Sequence, residues 1–407
     1  MVQRTAELPM VKEAWRPRVL LVDDEPFNLD LLEQELEGLD LEIQTANNGR
    51  EALDALAAAA PDIIFLDLMM PEVDGFTVLE RMQGVPEWRR IPVVVISAAS
   101  EMENIVRGIA LGASDFLPKP FHPAILHARL QAGLEQKRLR DQEQAYLQAL
   151  ERELEIGRQI QAGFLPRLLP ELDGWAVAAS FSPAREVAGD FYDVFTLPHT
   201  HRVGLLLGDV SDKGVGAALF MTLFRSLLRA GVNPTYVAIQ PLDSQAATDY
   251  LRQSVQLTNN YIADMHGDVG MFATLFFGLL DPASGSLLYI NAGHEPPLIV
   301  TTDGEQRQLP PSAPVIGVLK DVDYEVKETT LAPGEMALFY SDGVIDAEDE
   351  DGRFFTRERL AELLSPLPPS AERLLERIEA RLRDHVGERR QFDDITLLAL
   401  YREPAGQ

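Results

Sequence analysis

Aspartates follow apolar runs at two points in the first part of the chain. Residues 63–66 read Ile-Ile-Phe-Leu and lead straight into Asp67, and the apolar run 19–22 leads into Asp23 and Asp24. An unbroken apolar run of this kind, bounded by turn residues, predicts a strand that is buried on both faces. Open α/β sheets carry their chemistry at the carboxyl ends of such strands, so we expect the three aspartates to lie together.

Two more polar residues end predicted strands in the same region. Ser97 closes the apolar run 91–96, and Lys119 closes a short run that begins at residue 115. Three carboxylates at close range repel one another unless a hard cation neutralises them, and Mg²⁺ prefers such oxygen ligands. A cation and Lys119 would polarise a phosphoryl donor and let Asp67 act as the nucleophile, while Ser97 could donate a hydrogen bond to the phosphoryl group.

Strand-like runs alternate with helix-favouring segments over residues 18–130, which predicts βαβ units around a parallel sheet. This region resembles a two-component receiver domain, because five positions on four strands agree with that family in type and order. The resemblance implies a flavodoxin-like α/β fold with a five-stranded parallel sheet, and it implies that Asp67 is the phosphoacceptor and that Lys119 contacts the phosphate. The implied Mg²⁺ ligands are Asp23, Asp24, Asp67 and the Met69 carbonyl. Phe116 falls where the family has its switch aromatic, and plain core packing is the alternative for this residue.

The segment 123–165 contains little Gly or Pro and much Glu, Gln, Arg and Leu, which favours helix. Leu126, Leu130 and Leu134 share one helix face at a spacing of four and suit the last helix of the receiver. A second apolar series follows a charged stretch: Leu147, Leu150 and Leu154. A solvated spacer and a dimerising coiled coil both fit this pattern, because the heptads are few.

The last part of the chain, about 240 residues, changes pattern: long apolar or alternating runs follow one another with fewer helices between them. This predicts antiparallel sheets packed face to face and flanked by helices. Aspartates again mark the ends of the runs, beside glycines that let the backbone approach an ion or a phosphate. The four are Asp190, Asp209, Asp342 and Asp393. In a chain without cysteine and with 7 histidines, they indicate an all-oxygen site for Mg²⁺ or Mn²⁺.

The same region resembles the metal-dependent serine/threonine phosphatases of the PPM family, in the branch of SpoIIE and RsbU. The motifs are Ala-Gly-Asp190-Phe-Tyr-Asp, Gly-Asp209-Val-Ser-Asp-Lys-Gly, Asn291-Ala-Gly-His294, Ser-Asp342-Gly-Val and Asp393-Asp-Ile-Thr. The resemblance implies an α+β sandwich of two antiparallel sheets that holds two Mn²⁺ or Mg²⁺ ions. The implied catalytic metal ligands are Asp190, Asp209, Asp342, Asp393 and the Val210 carbonyl, with Asp209 bridging the two ions.

Three residues near these motifs have two interpretations each. Arg185 could grip a phosphate through its fork of donors or could be a surface arginine. His294 could be a general acid or could have a structural role in a tight turn, and the structural role is favoured. Asp394 could share or exchange roles with Asp393.

Composition limits the partners and the compartment. The formal net charge of −28 argues against a nucleic-acid partner, because phosphate binding needs a basic face. Apolar runs stay below the roughly 18 residues of a membrane span, and the start of the chain lacks the apolar core of a signal peptide, so we expect a cytoplasmic protein without membrane contact. The predicted organisation is an N-terminal extension over 1–17, a receiver domain over 18–130, a helical linker over 131–165 and a phosphatase domain over 166–407.

Together the resemblances imply a response regulator with a phosphatase output, similar to the RssB and RsbU controllers of the general stress response. A sensor histidine kinase or a phosphotransfer protein would phosphorylate Asp67 and so change activity towards a phosphorylated anti-sigma-factor antagonist. The alternative is a non-catalytic adaptor that binds a stress sigma factor or an anti-sigma component. All four aspartates of the second site are present, which favours the enzyme.

Overall fold

The computed structural model describes residues 16–98, 102–197, 200–232 and 244–404. The chain divides into two compact units between Leu150 and Glu151. Most of the predicted N-terminal extension, residues 1–15, lies outside the described residues. The four-part division given above stays a prediction.

The first unit contains a five-stranded parallel sheet in the order β2-β1-β3-β4-β5. Its strands are β1 (Arg18–Val22), β2 (Glu42–Ala46), β3 (Ile63–Asp67), β4 (Val93–Ala98) and β5 (Asp115–Lys119). The prediction of a receiver-type α/β fold is therefore confirmed. The strand order changes direction between β1 and β3, which is where open α/β sheets bind their ligands.

Helices cover both faces of this sheet. They are α1 (Pro26–Leu36), α2 (Gly49–Ala58), α3 (Gly75–Gly84), α4 (Met102–Ala110) and the start of α5 (Pro123–Ala162), and a short 3-10 helix spans Trp88–Arg90. Strand β3 is buried on both faces as predicted: Ile64 and Leu66 pack into one core, and Ile63 and Phe65 pack into the other. The alternation follows from the two-residue period of a strand.

Helix α5 has 40 residues and covers the predicted helical linker except for its last three residues, 163–165. Leu126 and Leu130 are buried in the first unit, and Leu134 packs against the same core. Among the described residues, none of the helices combines the length and the apolar composition that a membrane span needs.

The second unit contains two five-stranded sheets whose neighbouring strands are all antiparallel. The first has the order β13-β10-β9-β8-β7, with β7 (Phe191–Thr196), β8 (Val203–Val210), β9 (Ala273–Leu280), β10 (Ser286–Ala292) and β13 (Lys327–Thr330). The second has the order β12-β11-β14-β15-β6, with β6 (Trp175–Ser182), β11 (Leu298–Val300), β12 (Gln306–Gln308), β14 (Met336–Tyr340) and β15 (Ile395–Arg402).

The two sheets pack face to face through one apolar core to which both contribute. The rings of Phe276 and Phe339, one from each sheet, have centroids 4.9 Å apart. Helices cover the outer faces: α6 (Val215–Gly231) and α7 (Ser244–Met265) on the first sheet, and α9 (Arg357–Glu362) and α10 (Ala371–Val386) on the second. A four-residue helix, α8, spans Asp342–Ile345. This arrangement confirms the predicted sandwich.

Candidate functional site

The first candidate site lies at the carboxyl edge of the parallel sheet. Asp23 and Asp24 follow β1, and Asp67 ends the adjacent strand β3. Oxygen atoms of these three carboxylates lie within 4.8 Å of one another. Asp23 and Asp67 are buried. The donor set fits a hard divalent cation, since three carboxylates this close repel one another without one.

Lys119, at the end of β5, reaches two of these carboxylates. Its Nζ lies 2.9 Å from Asp23 Oδ2 and 3.2 Å from Asp67 Oδ2. Burial raises the pKa of Asp67 to about 6, with the charge of Lys119 opposing this shift and that of Asp23 adding to it. Burial alone would lower the pKa of Lys119, but the hydrogen bond to Asp23 and the charges of both carboxylates raise it. Asp67 is thus held close to a permanent cation.

The other predicted receiver residues lie around this group. Ser97 is buried, and the strand register places Ile96 opposite Asp67, so Ser97 lies one residue beyond the carboxylate. The backbone N–H of Met69 donates to the Asp67 carboxylate. Phe116 is half-buried against the core, with the Arg129 guanidinium 5.9 Å from its ring centroid. This packing fits both a switch role and a core role for Phe116.

The second candidate site lies where the strand ends of the two antiparallel sheets meet. Asp190 immediately precedes β7, and Asp209 lies near the end of the neighbouring strand β8. Asp342 begins the short helix after β14, and Asp393 lies two residues before β15. The structure thus brings together all four aspartates that the sequence predicted as ligands.

Two glycines allow the segments that carry these aspartates to approach. A Cβ atom at Gly189 would lie 2.8 Å from the carbonyl oxygen of Val210, and one at Gly343 would lie 2.0 Å from the carbonyl oxygen of Asp394. Both separations are too short for a real Cβ contact. Backbone contact at these glycines therefore fixes the spacing of the carboxylates.

Burial and neighbouring negative charge raise the pKa values of Asp190, Asp209 and Asp342. Burial raises the pKa of Asp190 well above its ordinary value, and the charge of Asp209 raises it further. Burial also raises the pKa of Asp209, with further contributions from Asp342 and Asp393. The pKa of Asp342 rises to about 6 through burial and the charge of Asp393. Crowded carboxylates of this kind fit divalent cations, which relieve the repulsion.

Comparison with protein families identifies both units. The model of the response regulator receiver domain family matches residues 19–131. The model of the family described as Stage II sporulation protein E (SpoIIE) matches residues 199–403, which is half of the chain. The chain belongs to the SpoIIE family. It combines a receiver domain with a SpoIIE domain, which confirms the resemblances seen in the sequence.

Two relatives match a longer stretch of this chain than the SpoIIE family model does. Protein IcfG of Synechocystis sp. is 43% identical over 263 residues, covering 61% of this chain and 41% of IcfG. The chain thus spans less than half the length of that relative. The phosphoserine phosphatase RsbU of Bacillus subtilis is 27% identical over 266 residues, covering 63% of this chain and 72% of RsbU. The solved SiaA-PP2C domain of Pseudomonas aeruginosa supports the fold, with a TM-score of 0.51 at 23% identity over 63% of this chain and 98% of that chain.

Two side chains of the SpoIIE domain contact the predicted ligands, although the sequence analysis assigned them no role. Lys213 Nζ lies 2.9 Å from Asp393 Oδ2 and donates to the Phe392 carbonyl at 2.9 Å. The Thr396 hydroxyl donates to Asp190 Oδ2 at 2.6 Å. Both residues belong to motifs that the sequence displays, but their contacts join segments about 180 to 210 residues apart.

Asp394 differs from its neighbour in what it contacts. Its Oδ1 accepts from the backbone N–H of Ala184 at 2.8 Å, and its Oδ2 accepts from that of Gly189 at 2.8 Å. The carboxylate therefore holds the loop that leads into Asp190. Asp393 instead interacts with Lys213 and with the charges of Asp209 and Asp342. The geometry favours Asp393 as the ligand and Asp394 as a structural residue.

His294 has the contacts of a structural residue. Its ring is buried, its Nδ1 lies 2.8 Å from Thr274 Oγ1, and its backbone N–H donates to Asn291 Oδ1 at 2.9 Å. Burial lowers the pKa of His294 to about 4, so the ring is neutral near pH 7. A neutral imidazole is a poor proton donor, which favours the structural alternative. Arg185 is exposed in the loop before Asp190, where both of its interpretations stay open.

Proposed function

We propose that the chain is a response regulator in which phosphorylation of Asp67 controls a metal-dependent protein serine/threonine phosphatase. The observation that carries the proposal is the convergence of four buried or half-buried aspartates from both antiparallel sheets at one point. Such mutual repulsion costs stability, and a protein that only binds a partner does not need it. The adaptor alternative therefore has no observation in its favour.

The proposed phosphatase ligands are Asp190, Asp209, Asp342, Asp393 and the carbonyl of Val210. A bound pair of Mn²⁺ or Mg²⁺ ions supplies a water of lowered pKa and offsets charge on the phosphoryl oxygens. Asp209 interacts with Asp190, Asp342 and Asp393 and is the proposed bridging ligand. Thr396 orients Asp190 through its hydroxyl, and Asp394 fixes the loop before Asp190.

The proposed phosphoacceptor of the receiver is Asp67. Asp23, Asp24 and the Met69 carbonyl would complete a Mg²⁺ site with it. Lys119 already lies 3.2 Å from the Asp67 carboxylate and is placed to contact an incoming phosphoryl group. We propose that Ser97 moves towards the phosphoryl group and donates a hydrogen bond to it. Phe116 would then swing inward as Ser97 moves.

The partners follow from the domain combination. A receiver domain takes its phosphoryl group from a donor, for which we propose a sensor histidine kinase or a phosphotransfer protein. RsbU is named a phosphoserine phosphatase, which supports phosphoserine or phosphothreonine on a protein as the substrate here. We propose a phosphorylated anti-sigma-factor antagonist, and hence a role in stress signalling.

Exposed apolar side chains on helix α5 support a homodimer. Leu139, Tyr146 and Leu150 on α5 are exposed apolar residues. Their spacings of seven and four fit the d and a positions of a coiled coil. We propose that a second copy of the chain covers this face.

The test of the enzyme is phosphate release from p-nitrophenyl phosphate with Mn²⁺, for the wild type and for Asp342→Asn. The expected result is turnover that depends on Mn²⁺ and falls at least about 100-fold in the variant, because a ligand carboxylate is lost. Asp346→Asn is the control, because Asp346 is a nearby exposed aspartate outside the proposed ligand set. Equal turnover in the wild type and in Asp342→Asn would contradict the proposal.

A further inference from the structure

A cavity of about 550 Å³ lies beside the four-aspartate site in the second unit. Gly343, Asp346 and Asp393 form part of its wall, so it borders the proposed metal ligands. The last turn of α10 and the loop 387–393 form much of the rest. The volume lies within the range of pockets that bind ligands, about 300–1,000 Å³.

The acidic side chains of the cavity wall already have partners or border the metal site. Glu379 accepts a hydrogen bond from the Ser180 hydroxyl. Glu348 forms an ion pair with Arg389 at 2.9 Å. Asp346 and Asp393 lie on the side of the metal site, where each raises the pKa of Asp342.

Two arginines of the wall are not compensated in this way. Arg383 and Arg390 are exposed, and neither has an ion-pair partner within the part of the chain that the structure describes. The positive charges of these two arginines contrast with the formal net charge of −28 of the whole chain. Arginines without an ion-pair partner can bind the carboxylates of a partner molecule, which supports selection for negative charge at these two positions.

An exposed aromatic ring completes the wall. Phe392 is 72% exposed although it directly precedes the proposed ligand Asp393. Lys213 Nζ lies 4.0 Å from the centroid of its ring, which limits the orientations of the ring. An exposed, oriented aromatic ring beside a cavity is a common anchor for a bound chain.

We propose that this cavity binds the segment of a protein substrate that flanks the phosphorylated serine or threonine, and that Arg383 and Arg390 select acidic residues in that segment. Arg390 lies three residues before Asp393, so their Cα atoms are at most about 11 Å apart. An extended peptide advances about 3.3 Å per residue. Arg390 can therefore meet a residue two to four positions from the phosphorylated one.

The inference rests on the proposed phosphatase function and is tested with two phosphoserine peptides. One carries aspartates two to four positions from the phosphoserine on both sides, and the other carries asparagines there. The full chain with Mn²⁺ is assayed for kcat/KM as the wild type, as the double variant Arg383→Gln/Arg390→Gln, and as Arg381→Gln. Arg381 is an exposed arginine of the same helix outside the cavity wall, and so is the matched control.

The readout is the ratio of kcat/KM for the aspartate peptide to that for the asparagine peptide. The expected ratio is about threefold to tenfold in the wild type and in Arg381→Gln, since exposed or half-exposed ion pairs contribute modestly. The double variant is expected to lower the ratio to about one. A wild-type ratio near one, or an unchanged ratio in the double variant, would overturn the inference and leave the enzyme in place.

Failure of the proposed function gives a different result: the wild type would release no phosphate from either peptide or from p-nitrophenyl phosphate. Binding of the two peptides, labelled with fluorescein and measured by fluorescence anisotropy, then replaces the kinetic ratio. Preferential binding of the aspartate peptide that disappears in the double variant would support the cavity assignment without catalysis. Equal binding of the two peptides by the wild type would overturn it.

Discussion

The adjacent residues Asp393 and Asp394 have different neighbours, which supports different proposed roles for them. Asp393 meets Lys213 and the other ligand carboxylates. Asp394 is buried and accepts backbone hydrogen bonds from the loop before Asp190. The first carboxylate faces the charged side chains of the site, whereas the second is held by backbone N–H groups of the loop.

Substitutions at Asp393 and Asp394 are expected to differ in their effects on turnover and on stability. Asp393→Asn is expected to lower Mn²⁺-dependent turnover at least about 100-fold while leaving the unfolding midpoint in EDTA unchanged or higher, because it removes like-charge repulsion. Asp394→Ala is expected to destabilise the chain by about 2–4 kcal/mol, because two buried N–H groups lose a charged acceptor. Thermal unfolding in EDTA and phosphate release measure the two effects. A larger stability loss in Asp393→Asn than in Asp394→Ala would contradict this assignment.

The pH dependence of stability follows from the raised pKa values of the same site. Burial and neighbouring charges raise the pKa of Asp209 to about 7 and that of Asp342 to about 6, from an ordinary value of 3.8. A carboxyl with a higher pKa in the folded chain binds protons more tightly when folded. The free energy of unfolding without metal should therefore fall as the pH rises from about 4 to about 7.

Unfolding midpoints in EDTA at pH 5 and pH 7.5 check this dependence. The fall in the unfolding midpoint from pH 5 to pH 7.5 should be smaller in Asp209→Asn, because this variant lacks one of the carboxyl groups with a raised pKa. Mn²⁺ should reverse the trend, since it binds the deprotonated carboxylates. A metal-free midpoint that rises over this interval would show that the carboxylates are not crowded in solution.

The types of the site residues could be predicted from the sequence, but their contacts could not. Aspartates at the ends of apolar runs indicated both acidic clusters. Lys213 and Asp394 stand in the same motifs, yet their roles depend on Asp393 and on the loop near Gly189, far away along the chain. Periodicity and composition carry no information about such pairings.

At the scale of elements, the end of α5 is fixed directly to the proposed metal site. The Gln161 side chain is buried, donates to the Ala188 carbonyl at 2.6 Å and accepts from the Ala188 N–H at 3.0 Å. Ala188 lies two residues before Asp190. Any displacement of this end of the helix therefore acts on the segment that carries a ligand.

Gln161→Ala is expected to lower turnover at least about tenfold and to raise the Mn²⁺ concentration needed for half-maximal activity, because both polar groups of Ala188 lose their partner. Gln159→Ala is the matched control, since Gln159 is exposed and donates to Glu155 on the same helix. A Mn²⁺ titration of phosphate release measures both quantities. Equal behaviour of the two variants would mean that the Gln161 contact does not position Asp190.

The short helix after β14 depends on a glycine. Gly343→Ala would place a Cβ atom 2.0 Å from the carbonyl oxygen of Asp394, so the segments that carry Asp342 and Asp393 would have to separate. The expected result is a loss of about 1–3 kcal/mol in stability and of most Mn²⁺-dependent turnover. Gly216→Ala, at an exposed helical position with open space around it, should keep or slightly raise stability. Circular dichroism and phosphate release provide the comparison, and normal turnover in Gly343→Ala would show that the site tolerates the separation.

Long elements were predictable because they carry several periods of a pattern. Val203–Val210 and Ser286–Ala292 are strands of eight and seven residues within such long apolar runs. The strands Leu298–Val300, Gln306–Gln308 and Lys327–Thr330 are much shorter. Three or four residues are too few to show a period of two, and their pairing with distant strands determines them instead.

At the scale of the whole molecule, one continuous helix links the two sites in sequence. The start of α5 contributes Leu126 and Leu130 to the core of the receiver, and its end holds Ala188 beside Asp190. A regulator of this design needs no direct contact between its sites, because a two-state change at the first can bias the helix. The middle of the helix is then required for coupling but not for basal turnover.

Beryllofluoride, which mimics a phosphoryl group on aspartate, tests this requirement. With Mg²⁺ it is expected to change Mn²⁺-dependent turnover of the wild type at least about twofold, and to leave Asp67→Asn unchanged because the acceptor carboxylate is absent. Glu143→Pro interrupts the exposed middle of α5 and should abolish the response, whereas Glu143→Ala keeps the helix and should retain it. A response that survives Glu143→Pro would show that the signal does not travel through α5. If beryllofluoride did not change the turnover of the wild type, Asp67 would not control the phosphatase site. The two acidic clusters would then work independently.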